Sequence, residues 1–137
     1  MCLHTTQLKP IILDEDLIVY KELKIREGEK AGIFSPIRYY QWNLNELNET
    51  KITILPVGST YDILASANVD YMRENDIKYI TIGEGFHSFK SKDRCHELYV
   101  NTYFYLFKCL IPKSSEVYYD ATGLVVSNQL IILEQLS

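Results

Sequence analysis

The segment Thr102–Ile111 constrains the fold more than any other part of this chain. Read as a strand, it sets Tyr103, Tyr105, Phe107, Cys109 and Ile111 on one side and Phe104, Leu106 and Leu110 on the other. A strand that is apolar on both sides must be covered on both faces, so the alternation predicts a central strand with packed layers above and below it. A chain of 137 residues is long enough to supply those layers within one domain, without disulfides or metals.

Around this segment the chain reads as a series of short β-branched and aromatic runs. Ile11–Leu13 and Leu17–Leu23 are predicted strands separated by the acidic turn Asp14–Asp16. Residues 24–32, charged and carrying Gly28 and Gly32, read as an exposed loop. In the segment from Phe34 to Trp42, Pro36 permits an edge strand or a loop but bars a central position. The polar stretch Asn43–Lys51 reads as a loop or a single helical turn. Ile52–Leu55, Tyr79–Ile82, Phe86–Phe89, Val117–Tyr119, Leu124–Val126 and Gln129–Leu133 are further strands, and Asp120–Gly123 is a turn. A helix is expected within 60–74, with Ser59 as its cap, and a second from Ser91 to about Val100. The expected fold is therefore α+β: a single domain over 1–137, mainly short antiparallel strands in two packed sheets with two short helices. Regular βαβ alternation is missing, which argues against a dinucleotide-binding unit, and Gly83-Glu-Gly85 is too short to be its fingerprint.

Composition excludes some function classes. With 14 basic against 18 acidic residues the net charge is −4, and the basic residues do not cluster, which disfavours a nucleic-acid partner. The three cysteines are widely spaced and do not form a disulfide framework, and Cys2, His4, Cys95 and His96 lack the spacing of a structural zinc site. No leader pattern opens the chain, and its longest apolar run is too short to span a bilayer. The expectation is a cytoplasmic protein with no membrane partner, no metal and no cofactor. Eleven tyrosines suit ring-binding surfaces or interfaces, which leaves a homo-oligomer open.

Two segments carry candidate ligand contacts. Gly83-Glu-Gly-Phe-His-Ser-Phe89 opens a strand with two glycines and then presents His87 and Ser88, which could hydrogen-bond a ribose or a phosphate. Arg38-Tyr-Tyr-Gln-Trp42 joins a guanidinium to three rings, a combination that suits a nucleotide, with Arg38, Tyr40 and Trp42 as contacts. No Ser-His-acid triad can be read from residue order.

The order of these pieces resembles a reduced ADP-ribosyltransferase fold. On that resemblance Val19-Tyr-Lys21 fills the role of the early ligand-touching strand, which adds Tyr20 and Lys21 to the contacts. Gly83–Ser88 corresponds to the Gly-x-Gly-aromatic strand, and Leu106–Lys113 to the hydrophobic strand with its basic turn. Ser127–Leu133 corresponds to the last strand, where Gln129 stands in place of the catalytic acid. An amide cannot act as a carboxylate, so the resemblance implies ligand binding more than transfer, with mono-ADP-ribosyl transfer or NAD cleavage as the enzymatic alternative. The chain as a whole, through its Met-Cys-Leu-His start, Tyr20-Lys21, Ser35-Pro36, Gly85–Phe89, Ile111-Pro-Lys and Tyr118-Tyr119, more closely resembles a family of small proteins from phages and prophages of gut Bacteroides-like bacteria. Together these readings imply a phage-encoded protein in the host cytoplasm that binds a nucleotide-like small molecule, with sequestration of a host immune signalling nucleotide as its role. A protein-interaction module with a tyrosine-rich surface is the third expectation.

Overall fold

Two long strands, β3 (Leu17–Arg26) and β10 (Phe104–Ile111), form the spine of the larger sheet in a computed structural model that describes residues 3–26, 32–34, 40–55, 67–98 and 104–136. They pair antiparallel from Leu17 against Ile111 to Lys24 against Phe104. As the double-sided alternation requires, β10 is interior: β3 lies along one side and β13 (Gln129–Gln135) along the other. Tyr103 lies outside the described residues, and Tyr105 departs from the expected burial by remaining partly exposed at the sheet's end.

Beyond β3 the large sheet continues through β9 (Phe86–Phe89), β12 (Leu124–Ser127), β11 (Glu116–Tyr119) and β2 (Ile11–Ile12), and beyond β13 it ends at β6 (Leu47–Glu49). The short strands β4 (Gly32–Phe34) and β5 (Gln41–Trp42) attach to the far end of β3. A second sheet of three strands has β8 (Ile80–Glu84) between β1 (Leu3–Thr5) and β7 (Thr53–Leu55). The named strand pairs are antiparallel, and the two described helices are α1 (Ala67–Glu74) and α2 (Lys92–Leu98).

The side-chain period of two divides the interior between the faces of the large sheet. On one face Val19, Leu23, Phe107, Cys109 and Ile111 pack with Trp42, Phe86, Val125, Leu130 and Ile132. On the other face Leu106, Phe89, Leu124 and Val126 pack with Leu3 and Ile82 of the small sheet and Cys95 of α2. Each fully buried Val, Leu, Ile or Phe side chain contributes about 1.5–3 kcal/mol, so the small sheet and α2 hold their places chiefly through this second cluster.

Several expectations need correction. Residues 24–26 continue β3 and Gly32 opens β4, so the loop expected over 24–32 is shorter, and its centre lies outside the described residues. The stretch expected as a loop or helical turn contains β6, because the buried Asn48 uses its amide as a local scaffold. Its Nδ2 donates to the carbonyls of Asn43, Glu46 and Leu130, and its Oδ1 accepts from Asn43 N. That side chain meets backbone needs that a polar segment beside a sheet would otherwise leave open. The N-terminal strand β1 carries no strong sequence signal and is held by pairing with β8. Ser91 does cap α2, accepting from Arg94 N at 3.3 Å, whereas Ser59 and the first half of the 60–74 helix lie outside the described residues.

Candidate functional site

Lys21 is the unusual residue on the first face. It alternates with Val19 and Leu23 along β3 and so points into a largely apolar layer, where a lysine head group has little water. Its Nζ donates to the carbonyl of His87 at 2.5 Å and lies 5.6 Å from the centroid of the Trp42 ring. Burial lowers its pKa from 10.5 to about 8, with Cys109 and Cys95 acting weakly the other way. No carboxylate among the described residues pairs with it.

Three rings gather beside this amine. Trp42 and Phe86 are buried with centroids 4.6 Å apart, and Tyr40 stands edge-on to both at 4.7 and 5.3 Å. Such geometries are favourable beyond area burial alone. Tyr40 is 37% exposed, so the cluster runs from the core to the surface. The strand β5 places Trp42 by pairing it with Ile33 of β4, and β4 is anchored to the end of β3.

Ser88 completes the group. The register that sets Tyr20 against Phe89 puts Lys21 against Ser88, and the alternation of β9 turns Ser88 to the same face as Phe86. Its hydroxyl is fully buried and finds no hydrogen-bond partner among the described residues. A buried hydroxyl without a partner costs stability, and Ser88 brings that unused hydrogen-bonding capacity to the face of Lys21.

Of the eight contacts expected from sequence, four meet here: Lys21, Tyr40, Trp42 and Ser88. Arg38 lies outside the described residues. Tyr20 and His87 do not join the group, because strand alternation turns both side chains to the opposite face. Tyr20 packs with the second cluster beneath Lys92, and the His87 ring uses Nδ1 to pair with Gly85 O at 3.1 Å. His87 serves Lys21 through its backbone carbonyl only. Gln129 is engaged elsewhere: its Oε1 accepts from Ser115 Oγ at 3.0 Å, and its Nε2 donates to Glu49 Oε1 at 3.1 Å.

Sequence reasoning gave Phe86 no role, although its position two residues before Ser88 puts it on the same side of β9. The two buried thiols are not reactive groups: burial pushes Cys95 and Cys109 up to about 12, with Glu22 adding to the effect on Cys95. No group of three or more His, Cys, Asp or Glu residues suited to a metal ion occurs among the described residues. None of the described helices is long and apolar enough to cross a membrane. Comparison with protein-family models, curated proteins and solved structures finds no match to this chain.

Proposed function

We propose that this chain binds a small nucleotide-like molecule, a ring system bearing an anionic group, at the face formed by Lys21, Tyr40, Trp42, Phe86 and Ser88. The observation that carries this reading is the Lys21 ammonium, its head group buried, without a carboxylate partner among the described residues and set beside a three-ring cluster that reaches the surface at Tyr40. A partly desolvated cation gains most from an anion that comes with the ligand, and aromatic faces accept a base by stacking. Ser88 supplies a hydroxyl with hydrogen-bonding capacity to spare. The resemblance to phage and prophage proteins supports a role in sequestering a host signalling nucleotide. Trp42 is the only tryptophan, so its fluorescence reports on this face alone. Titration with cyclic nucleotides and ADP-ribose derivatives, with calorimetry alongside, is expected to change that fluorescence and release heat for at least one of them. Silence from the whole panel at high micromolar concentration would remove the reading.

A second reading, a protein-interaction module, is favoured by one feature. The outermost strand of the large sheet, β2, leaves Ile11 and Ile12 exposed at 45% and 57%, and an apolar open edge is a template for another chain. It predicts association that weakens in Ile12→Lys, measured by light scattering across a concentration series.

A further inference from the structure

The backbone at β2 restricts which strand can pair with this edge of the large sheet. Leu13 N donates to Ser115 O and Leu13 O accepts from Ser114 N, so Leu13 turns both of its backbone groups toward β11. Ile11, opposite Val117, does the same by the two-residue period of the strand. Glu116, opposite Ile12, uses its backbone on Asn128 instead: its N–H donates to Asn128 Oδ1 and its carbonyl accepts from Asn128 N. The N–H and C=O of Ile12 and the C=O of Pro10 therefore point away from β11, on a side where no strand pairs with β2 among the described residues. Outward backbone groups and the exposed side chains of Ile11 and Ile12 thus lie together on one edge.

We propose that two copies of this chain join their large sheets by pairing β2 with β2, antiparallel about Ile12 and across a two-fold axis. In this register the two Ile12 residues exchange N–H···O bonds, and Ile11 of each copy lies against Leu13 of the other. The flanking residues select it. Lys9 precedes the strand and Asp14, Glu15 and Asp16 follow it, all exposed, so the basic end of each copy meets the acidic end of the other. A shift of two residues one way sets Ile12 against Pro10, which has no N–H to return. The same shift the other way brings the two Asp14 residues from about 13 Å apart along the strands to about 7 Å, where a screening length of about 8 Å no longer separates them. Parallel pairing sets acid beside acid. Proline and charge at a sheet edge commonly prevent pairing, and here they leave one arrangement open.

This pairing rests on the interaction-module reading and names its partner as a second copy. The exposed flanking charges test it without touching the core. In sedimentation equilibrium of the full chain, Lys9→Glu and Glu15→Lys are each expected to weaken self-association about ten-fold, since the two-fold axis counts each swap twice. The two substitutions move the net charge of −4 in opposite directions, so a loss in both is no general charge effect. Mixed in equal amounts, the two variants are expected to associate as tightly as the wild type, because every contact between their ends again joins opposite charges. That recovery also shows that neither variant is misfolded. A chain that stays monomeric to about 1 mM overturns the proposal, as does a mixture that fails to recover. Association that Ile12→Lys weakens but the charge variants leave unchanged removes the two-fold pairing and keeps the interaction module, whereas association indifferent to Ile12→Lys removes both.

Discussion

The Nζ of Lys21 donates to the backbone carbonyl of His87 at 2.5 Å, joining β3 to β9 through a side chain buried among apolar neighbours. Stability should carry the mark of that buried amine. Its pKa is about 8 in the folded chain against 10.5 for an ordinary lysine, so between these values the unfolded chain holds more protons and stability rises with pH. Below pH 8 the full cost of the buried charge is present. Cys95 and Cys109, raised from 9.0 to about 12, act in the opposite direction as the pH passes through 9, so the contribution of Lys21 is read by comparison with a variant that keeps both thiols. Denaturant titration is expected to show the stability of the wild type rising relative to that of Lys21→Met from pH 8 to 9, by about 1 kcal/mol. At pH 7 the desolvation relieved, up to about 3 kcal/mol, exceeds the hydrogen bond lost, about 1 kcal/mol, so Lys21→Met should be the more stable by about 2 kcal/mol. A difference between the two proteins that does not grow from pH 8 to 9 would mean that the amine reaches bulk water.

Ser88 should show the same conflict between stability and binding. Removing a buried hydroxyl that has no partner among the described residues relieves a desolvation cost, so Ser88→Ala is expected to gain about 1 kcal/mol without ligand. Its affinity for the nucleotide ligand should fall. Thermal melts with and without ligand measure both, and a lower melting temperature for the unliganded variant would show that the hydroxyl is already satisfied.

What could be read from sequence followed periodicity, and what could not depended on partners distant in the chain. The two apolar faces of β10 announce a central strand, because strict alternation leaves few alternatives, and the gap Asp14–Asp16 separates β2 from β3 for similarly local reasons. Strand β6 was hidden because Asn48 and its neighbours are polar, and it becomes a strand only through the carbonyl of Leu130, far along the chain. The site divides in the same way. Trp42 and Tyr40 were visible as a local aromatic cluster, but alternation decides which of the adjacent pairs Tyr20-Lys21 and His87-Ser88 face them, and which face is which depends on the pairing of β3 with β9. One position of strand register thus separates Lys21 from Tyr20 and Ser88 from His87.

The two glycines before that strand are not equivalent, and their alanine variants should separate. Gly85 adopts φ +148, where an L side chain is strained, and a Cβ there would run into Cγ1 of Val126, which is fully buried. Gly83 has no such backbone demand, and its Cβ would press on the end of the Leu55 side chain, which is only partly buried and can turn aside. Gly85→Ala is therefore expected to cost roughly 3 kcal/mol and Gly83→Ala about 1 kcal/mol or less. Urea unfolding at constant slope tests the pair, and equal losses would show that the turn tolerates a side chain at Gly85.

Gln129 occupies the place where the transferase resemblance would put an acid, and its hydrogen bonds say what restoring one should do. The amide uses both of its ends, accepting from Ser115 and donating to Glu49, so a carboxylate at this position loses the donor and faces Glu49 as a like charge. Gln129→Glu is expected to lower stability by about 1 kcal/mol at pH 7 and to recover it as the pH falls through the carboxylate range, where one of the two acids takes a proton and again donates. NAD turnover should not appear in this variant, and its Trp42 response to nucleotide should match the wild type, since the amide contacts neither Lys21 nor the three rings. Turnover of NAD by Gln129→Glu, followed by release of nicotinamide, would instead place a latent transferase centre at the start of β13 and move the ligand away from Lys21.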